Sequence, residues 1–495
     1  MKRLATAVIA LAAALLASGC QKPVHFPVEP VEAIDVGRSD VHRAYDTDED
    51  GQADFFLLAG GDGRVDRIAY DNDRDGAPDE LIDLDAIPPG RARHMVIILD
   101  GVGYDLVRQF YDRGHLRVFA RPSRVIAPYP TLTDLCLEDA LGYIPAVGFE
   151  STYYDHQANR VAGGPEDYLE GENQPYNRLM DYRCNLIWDV IGYLYPRQVF
   201  GKELNDVKRG FDRRDTREFI AYLVSSAGVG TQFGADGHRT CLEQVERLVH
   251  QVLWETHGLT KFTLLADHGH SYTPAERIPL ERFLRDHGWR ITGKLKRPRD
   301  VAYIRFGLET YVSLATRSAE ALAEDVIEAE GAELASFARG GEVVVLSPGG
   351  GRAIVRRDAD GRFAYEPVAG DPLELGELLA QMPGGAAAFH DAYALLEATA
   401  DHVWPAPLQR LWRAHFALAE NPPDVILSLA DEYYSGSRSF GACVNVASTH
   451  GSLNRSNSTT FVMSTLGPLP ELMRSADVPA AMEDALGRRF PAKRP

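Results

Sequence analysis

Apolar positions follow three rhythms along the chain. Met95-Val96-Ile97-Ile98-Leu99, preceded by His94, is an unbroken apolar run that ends on Asp100, as expected of a buried parallel strand whose C-terminal end delivers a functional carboxylate. Phe262 to Ala266 repeats the pattern and ends on Asp267, while Leu242, Val245, Leu248, Val249 and Val252 recur at helical spacing between Cys241 and Trp254. Glu342 to Leu346, Arg352 to Arg356 and Phe363 to Glu366 read as short hairpin strands, broken by Pro348 to Gly351 and Asp358 to Gly361. The strand-like runs Asp424 to Leu429 and Val444 to Ser448 are expected to rejoin the first sheet. Together these elements predict an α/β class: a doubly wound, mostly parallel sheet over 92–290 and 421–480, with an α+β insertion over 291–420.

Ahead of this region, Phe55 to Leu58 and Val65 to Tyr70 are strand-like and flank two copies of one polar pattern. Tyr45-Asp46-Thr47-Asp48-Glu49-Asp50-Gly51-Gln52-Ala53-Asp54 is repeated 25 residues later as Tyr70-Asp71-Asn72-Asp73-Arg74-Asp75-Gly76-Ala77-Pro78-Asp79. Alternating carboxylates can converge on one ion while Gly permits the sharp turn, so Asp46, Asp48, Asp50 and Asp54, with Asp71, Asp73, Asp75 and Asp79, are candidate calcium ligands. Neither copy has a bidentate Glu at position twelve. The copies therefore resemble strand-flanked calcium repeats, and residues 41–88 are expected to form a rigid spacer.

Length and charge sharpen the picture. The 495 residues exceed the size of a single hydrophobic core, and 45% hydrophobic content suffices for more than one. The net charge of −19 argues against binding to nucleic acid or directly to an anionic membrane surface. Between Asp46 and Asp85 alone the charge is −11.

The N-terminus carries Lys2 and Arg3, an apolar run from Leu4 to Ala17, and Ser18-Gly19-Cys20, the layout of a cleaved export signal over 1–19. Leu16-Ala17-Ser18-Gly19-Cys20 resembles a bacterial lipobox, which implies lipidation of Cys20 and a membrane anchor in the cell envelope. Gln21 after the cysteine resembles the outer-membrane sorting variant, on the periplasmic face. Residues 20–40, with Pro23, Pro27 and Pro30, read as a tether. Cys136, Cys184, Cys241 and Cys443 could form two bridges in three pairings or remain buried thiols.

Four segments carry candidate chemistry. Ile97-Ile98-Leu99-Asp100-Gly101-Val102-Gly103, Pro128-Tyr129-Pro130-Thr131-Leu132-Thr133, Leu264-Leu265-Ala266-Asp267-His268-Gly269-His270 and Ser448-Thr449-His450-Gly451 occur in that order. In type and order they resemble the alkaline phosphatase superfamily, in its phosphodiesterase/nucleotide pyrophosphatase branch. The resemblance implies Thr133 as nucleophile at a helix start, Asp100, Asp267 and His268 as ligands of one metal, and His450 as a ligand of a second. A threonine hydroxyl attacks poorly at neutral pH without a metal ion, and oxygen plus imidazole ligation suits zinc. Ser151, in Gly148-Phe149-Glu150-Ser151-Thr152-Tyr153-Tyr154-Asp155, stands where relatives place an Asn that binds the phosphoryl oxygen.

One motif departs from the family. Ala227 and Thr231 stand where relatives have the Asp and His of an Asp-x-x-Gly-His segment, the register being kept by Tyr222, Gly230 and Gly234. The second site is therefore expected to be lost unless Asp236 and His238 rebuild it. The expected function is hydrolysis of phosphate mono- or diesters through Thr133 with one intact metal site and a small-molecule, glycan or lipid phosphate ester as substrate. The alternative is a pseudoenzyme of the same fold acting as an envelope binding or assembly lipoprotein.

Overall fold

The computed structural model describes residues 24–31, 39–164, 174–185, 188, 191–305, 307–436, 441–442 and 444–492. The export signal, Cys20 and Cys443 lie outside the described residues. Cys136 and Cys241 are buried free thiols.

A seven-stranded mixed sheet carries the candidate chemistry. Its spatial order is Leu472–Arg474, Ser123–Ile126, Thr459–Ser464, Thr260–Ala266, Arg93–Leu99, Glu218–Leu223 and Tyr182–Arg183. The three strands Thr260–Ala266, Arg93–Leu99 and Glu218–Leu223 run parallel, whereas Thr459–Ser464 is antiparallel to both neighbours. The unbroken apolar run of the central strand is explained by cover on both faces. Met95, Ile97 and Leu99 pack with helices Tyr104–Asp112, Pro196–Arg213 and Ser225–Glu255, while Val96 and Ile98 pack with Thr133–Leu141 and Val478–Leu486.

An eight-stranded sheet forms a second lobe, ordered Arg290–Ile291, Asp300–Ile304, Tyr311–Thr316, Val425–Leu429, Ala332–Arg339, Glu342–Ser347, Gly351–Arg357 and Phe363–Ala369. The three hairpin strands read from sequence are here, in consecutive antiparallel register. Two expectations are corrected. Val425–Leu429 belongs to this lobe, paired with Tyr311–Thr316 and Ala332–Arg339, so the lobe extends beyond residue 420. Residues 444–448 form no strand. An apolar run specifies burial, not the sheet it pairs with, and periodicity alone could not separate the two.

The N-terminal strands Val41–Tyr45, Phe55–Ala59, Val65–Tyr70 and Glu80–Asp83 make an antiparallel meander, with both acidic repeats as the loops at one end. This sheet docks on the long helix Ser225–Glu255: Tyr70 Oη donates to the Trp254 carbonyl at 2.8 Å, and Arg43 pairs with Glu246 at 3.0 Å. The described part of the expected tether is also docked. Phe26 is 1% exposed, lies 4.8 Å from the Tyr45 ring, and its amide donates to Gln251. One aromatic side chain thus anchors a proline-rich segment by burial.

Candidate metal and nucleophile site

The parallel register brings Leu99 level with Ala266 on one side and Leu223 on the other. Asp100 and the Asp267-His268 pair therefore leave neighbouring strand ends together, and Tyr222 approaches from the third strand. Thr133 is the first residue of helix Thr133–Leu141. Its Oγ1 lies 3.3 Å from Asp100 Oδ2 and 3.4 Å from His268 Nε2. His268 Nε2 lies 3.6 Å from Asp100 Oδ1 and 3.5 Å from Asp267 Oδ2.

Hydrogen bonds fix the imidazole tautomers. His268 Nδ1 donates to the Gly269 carbonyl at 2.9 Å and His450 Nδ1 to the Thr131 carbonyl at 2.8 Å, because a carbonyl can only accept. Each ring is left with an Nε2 lone pair. Burial lowers the His268 pKa to about 4 and that of His450 well below the ordinary value, so both are neutral near pH 7. Their rings stack at 4.0 Å, and ligand atoms of Asp100, His268 and His450 all lie within 4.8 Å of one another.

The donor set fits a divalent ion. Asp267 Oδ1 accepts from the Gly101 and His268 amides, whereas Oδ2 is buried without a well-formed hydrogen bond and faces the His268 lone pair. Burial raises the Asp267 pKa. Acceptors facing acceptors repel unless a cation lies between them. Tetrahedral ligands at zinc–oxygen and zinc–nitrogen distances stand roughly 3.4 Å apart, and the contacts of His268 Nε2 with Thr133 Oγ1, Asp100 Oδ1 and Asp267 Oδ2 span 3.4 to 3.6 Å.

His450 was expected at a separate second site, nearly alone. It lies beside Asp100 and His268, a spacing that adjoining sites of a two-metal centre also allow. Ala227 is buried at the start of the long helix, and the Thr231 carbonyl accepts from the Ala447 amide at 2.8 Å, which anchors the segment leading to His450. The expected substitutes do not rebuild a site. Asp236 is exposed and pairs with Arg239. His238 is buried with both ring nitrogens engaged: Nε2 donates to the Ser226 carbonyl at 3.0 Å, and Nδ1 accepts from Tyr272 Oη at 2.9 Å. The backbone leaves helical geometry at Gly234 (φ 58°); beyond this kink Asp236 is exposed and His238 packs onto Gly230, where even a Cβ would lie 2.1 Å from its Nε2.

Ser151 joins neither ligand set. Its hydroxyl donates to Asp134 Oδ2 at 3.4 Å, a carboxylate also bound by Gln174 at 2.7 Å and Tyr176 at 2.7 Å. Glu150 and Glu309 lie beside this network, Glu150 raised well above the usual carboxylate range by burial and by the charges of Glu309 and Asp134.

Three site residues escaped the sequence reading. Tyr222 Oη donates to Asp100 Oδ2, His270 Nδ1 meets Ser448 Oγ at 2.5 Å, and Glu309 bridges to His450 through the backbone. The signal for Tyr222 was a hydroxyl at the C-terminal end of the apolar run Glu218–Leu223.

The acidic repeats adopt matching loops. Gly51 and Gly76 have φ of 95° and 88°, and Glu49 and Arg74 both have φ of 63°. Asp46, Asp48 and Asp50 converge within 4.8 Å, as do Asp71, Asp73 and Asp79. Asp54 and Asp75 instead accept backbone amides, from Thr47 and Ala77 respectively.

No family model matches this sequence, and no curated protein does. Among solved structures, the chain is similar to human ectonucleotide pyrophosphatase/phosphodiesterase 5 at 10% identity and a TM-score of 0.43, over 80% of this chain and 95% of that one. The murine protein gives 11% identity and a TM-score of 0.40 over the same shares, both by itself and as an inactive variant in complex with AMP.

Proposed function

We propose that the chain is a metal-dependent hydrolase of phosphate mono- or diesters, of the phosphodiesterase/nucleotide pyrophosphatase type, with Thr133 as nucleophile. The observation that carries the reading is that Thr133 Oγ1, Asp100 Oδ1 and Asp267 Oδ2 all lie 3.4 to 3.6 Å from His268 Nε2. Asp100, Asp267, His268 and His450 would hold the ion, with zinc favoured by the mixed oxygen and imidazole donors. A bound divalent ion supplies positive charge that lowers the pKa of a hydroxyl and neutralises phosphoryl oxygens.

The chain's own groups do the rest. Asp100 Oδ2 accepts the Thr133 hydroxyl proton, and the hydrogen bond from Tyr222 holds that carboxylate in place. The Thr133 hydroxyl stands at the head of a helix, whose first-turn amides lack intrahelical acceptors and favour an anionic phosphoryl group. Asp134, fixed by Gln174 and Tyr176, holds that first turn in register.

Metal analysis beside Thr133→Ala and Asp267→Asn variants tests the proposal. One zinc or similar ion per chain, lost in Asp267→Asn, with hydrolysis of an aryl phosphodiester abolished in Thr133→Ala, is the expected result. Absence of both metal and turnover would favour the second reading, a non-catalytic envelope lipoprotein, which the loss of ligands at Ala227 and Thr231 supports. In either reading the chain is anchored in the envelope through Cys20, and the two acidic loops hold calcium, a role supported by their converging carboxylates.

A further inference from the structure

A cleft of about 520 Å³ opens between the hairpin Thr152–Asp155/Arg160–Gly163 and the segment leading into strand Asp300–Ile304, lined by Arg160, Arg290, Thr292, Lys294 and Lys296. In a chain of net charge −19 this is a concentrated positive surface. Two carboxylates lie nearby, and neither forms an ion pair with Arg160, Lys294 or Lys296. Asp300 pairs bidentately with Arg290 at 2.7 Å, and Asp155, across the hairpin from Arg160, accepts the Ala158 amide at 2.8 Å. Arg160, Lys294 and Lys296 have no acidic partner among the described residues.

The cleft is a built feature and not a chance meeting of long side chains. Leu295 donates its amide to Tyr154 Oη at 3.2 Å and to Asn159 Oδ1 at 3.1 Å, Asn159 Nδ2 donates to the Leu295 carbonyl, and the Val161 amide reaches Gly293. These bonds lock the Lys294–Lys296 backbone against the hairpin. The base of the same hairpin is bound to the nucleophile region: the Gly164 amide donates to the Ser151 carbonyl at 3.1 Å, and Ser151 reaches Asp134 next to Thr133. A four-residue strand spans roughly 10 Å, so the cations stand about that far from the Ser151 end.

We propose that this cleft is an anion subsite that binds a phosphate-bearing group, either a small multiply charged phosphate or a phosphorylated lipid headgroup. The proposal rests on the phosphate-ester reading of the Thr133 site and deepens it: the preferred substrates carry a second anionic group beside the scissile phosphate. Its size suits a small molecule, and clustered Arg and Lys without counter-charges gain most from a multiply charged phosphate.

Binding measured without turnover separates the two ideas. Sodium tripolyphosphate and sub-micellar dihexanoyl phosphatidic acid are titrated calorimetrically into the full chain, its Thr133→Ala variant and an Arg160→Glu/Lys294→Glu variant of unchanged melting temperature. Binding that persists in Thr133→Ala and weakens at least about tenfold on double charge reversal is expected, and whichever probe binds more tightly identifies the source. No binding of either probe, or binding indifferent to the charge reversal, overturns the subsite. Binding of the expected kind by a chain that hydrolyses nothing would overturn the catalytic reading and leave the subsite standing.

Discussion

The carbonyl of Thr131 accepts the Nδ1 proton of His450 at 2.8 Å. Two residues before Thr133, the chain thus fixes the tautomer and orientation of an imidazole more than three hundred positions away. The Thr131 hydroxyl and amide extend the joint by bonding Gly451 on both sides.

Arg410, 4% exposed on helix Pro407–Phe416, clamps the same two segments, donating to the Pro128 carbonyl at 3.3 Å and the Leu453 carbonyl at 3.1 Å. Arg410→Met leaves the Pro128 carbonyl without its buried donor and the Leu453 carbonyl with Ser458 Oγ alone, so a loss of about 3 kcal/mol is expected in chemical denaturation. Turnover of the surviving folded protein falls as well, because both the nucleophile turn and the His450 segment lose their joint.

Tyr222→Phe removes the hydroxyl that holds Asp100 and nothing else. A destabilisation of about 1 kcal/mol is expected. Steady-state kinetics should show kcat reduced about tenfold with KM little changed, the mark of positioning lost at the reacting centre.

Glu246 reports on docking of the N-terminal sheet. Burial pushes its pKa up, but the hydrogen bond from His115 and the charges of His250 and Arg43 prevail, bringing it down to about 2. A depressed carboxylate stabilises the fold above its unfolded pKa and loses that contribution as pH falls through the folded one. Glu246→Gln is therefore expected to cost about 3 kcal/mol at pH 7. The gap from wild type should shrink between pH 4.5 and about 2, the ordinary and folded values of this group, as thermal melts across that range would record.

Calcium at one hundred times its dissociation constant would add about 2.7 kcal/mol to the stability of whatever unit binds it. Differential scanning calorimetry should show a melting temperature that rises with calcium in wild type. The rise should be roughly halved in Asp46→Asn and absent in Asp46→Asn/Asp71→Asn, since each loop contributes one converging set.

Several features were legible in the sequence for physical reasons. Asp100 and Asp267 could be read because a strand buried on both faces leaves a continuous apolar signature with a polar stop. The acidic loops could be read because glycine at φ near 90° and alternating carboxylates repeat in register. His450 could be placed near a metal but not at which one, since its position depends on the Thr131 carbonyl, a contact with no sequence periodicity. Val425–Leu429 was assigned to the wrong sheet for the same reason.

The placement of late strands inside early sheets has a consequence for biogenesis. Val425–Leu429 lies between Tyr311–Thr316 and Ala332–Arg339, and Thr459–Ser464 between Ser123–Ile126 and Thr260–Ala266. Until a nascent chain has been delivered past residue 429 the eight-stranded sheet is split, and until it has passed residue 464 the seven-stranded sheet is split, with unpaired strand edges bordering each gap. Such an intermediate is adhesive. A chain of this design depends on holding factors until its last tenth emerges, and truncations short of that point should aggregate and not leave a working half.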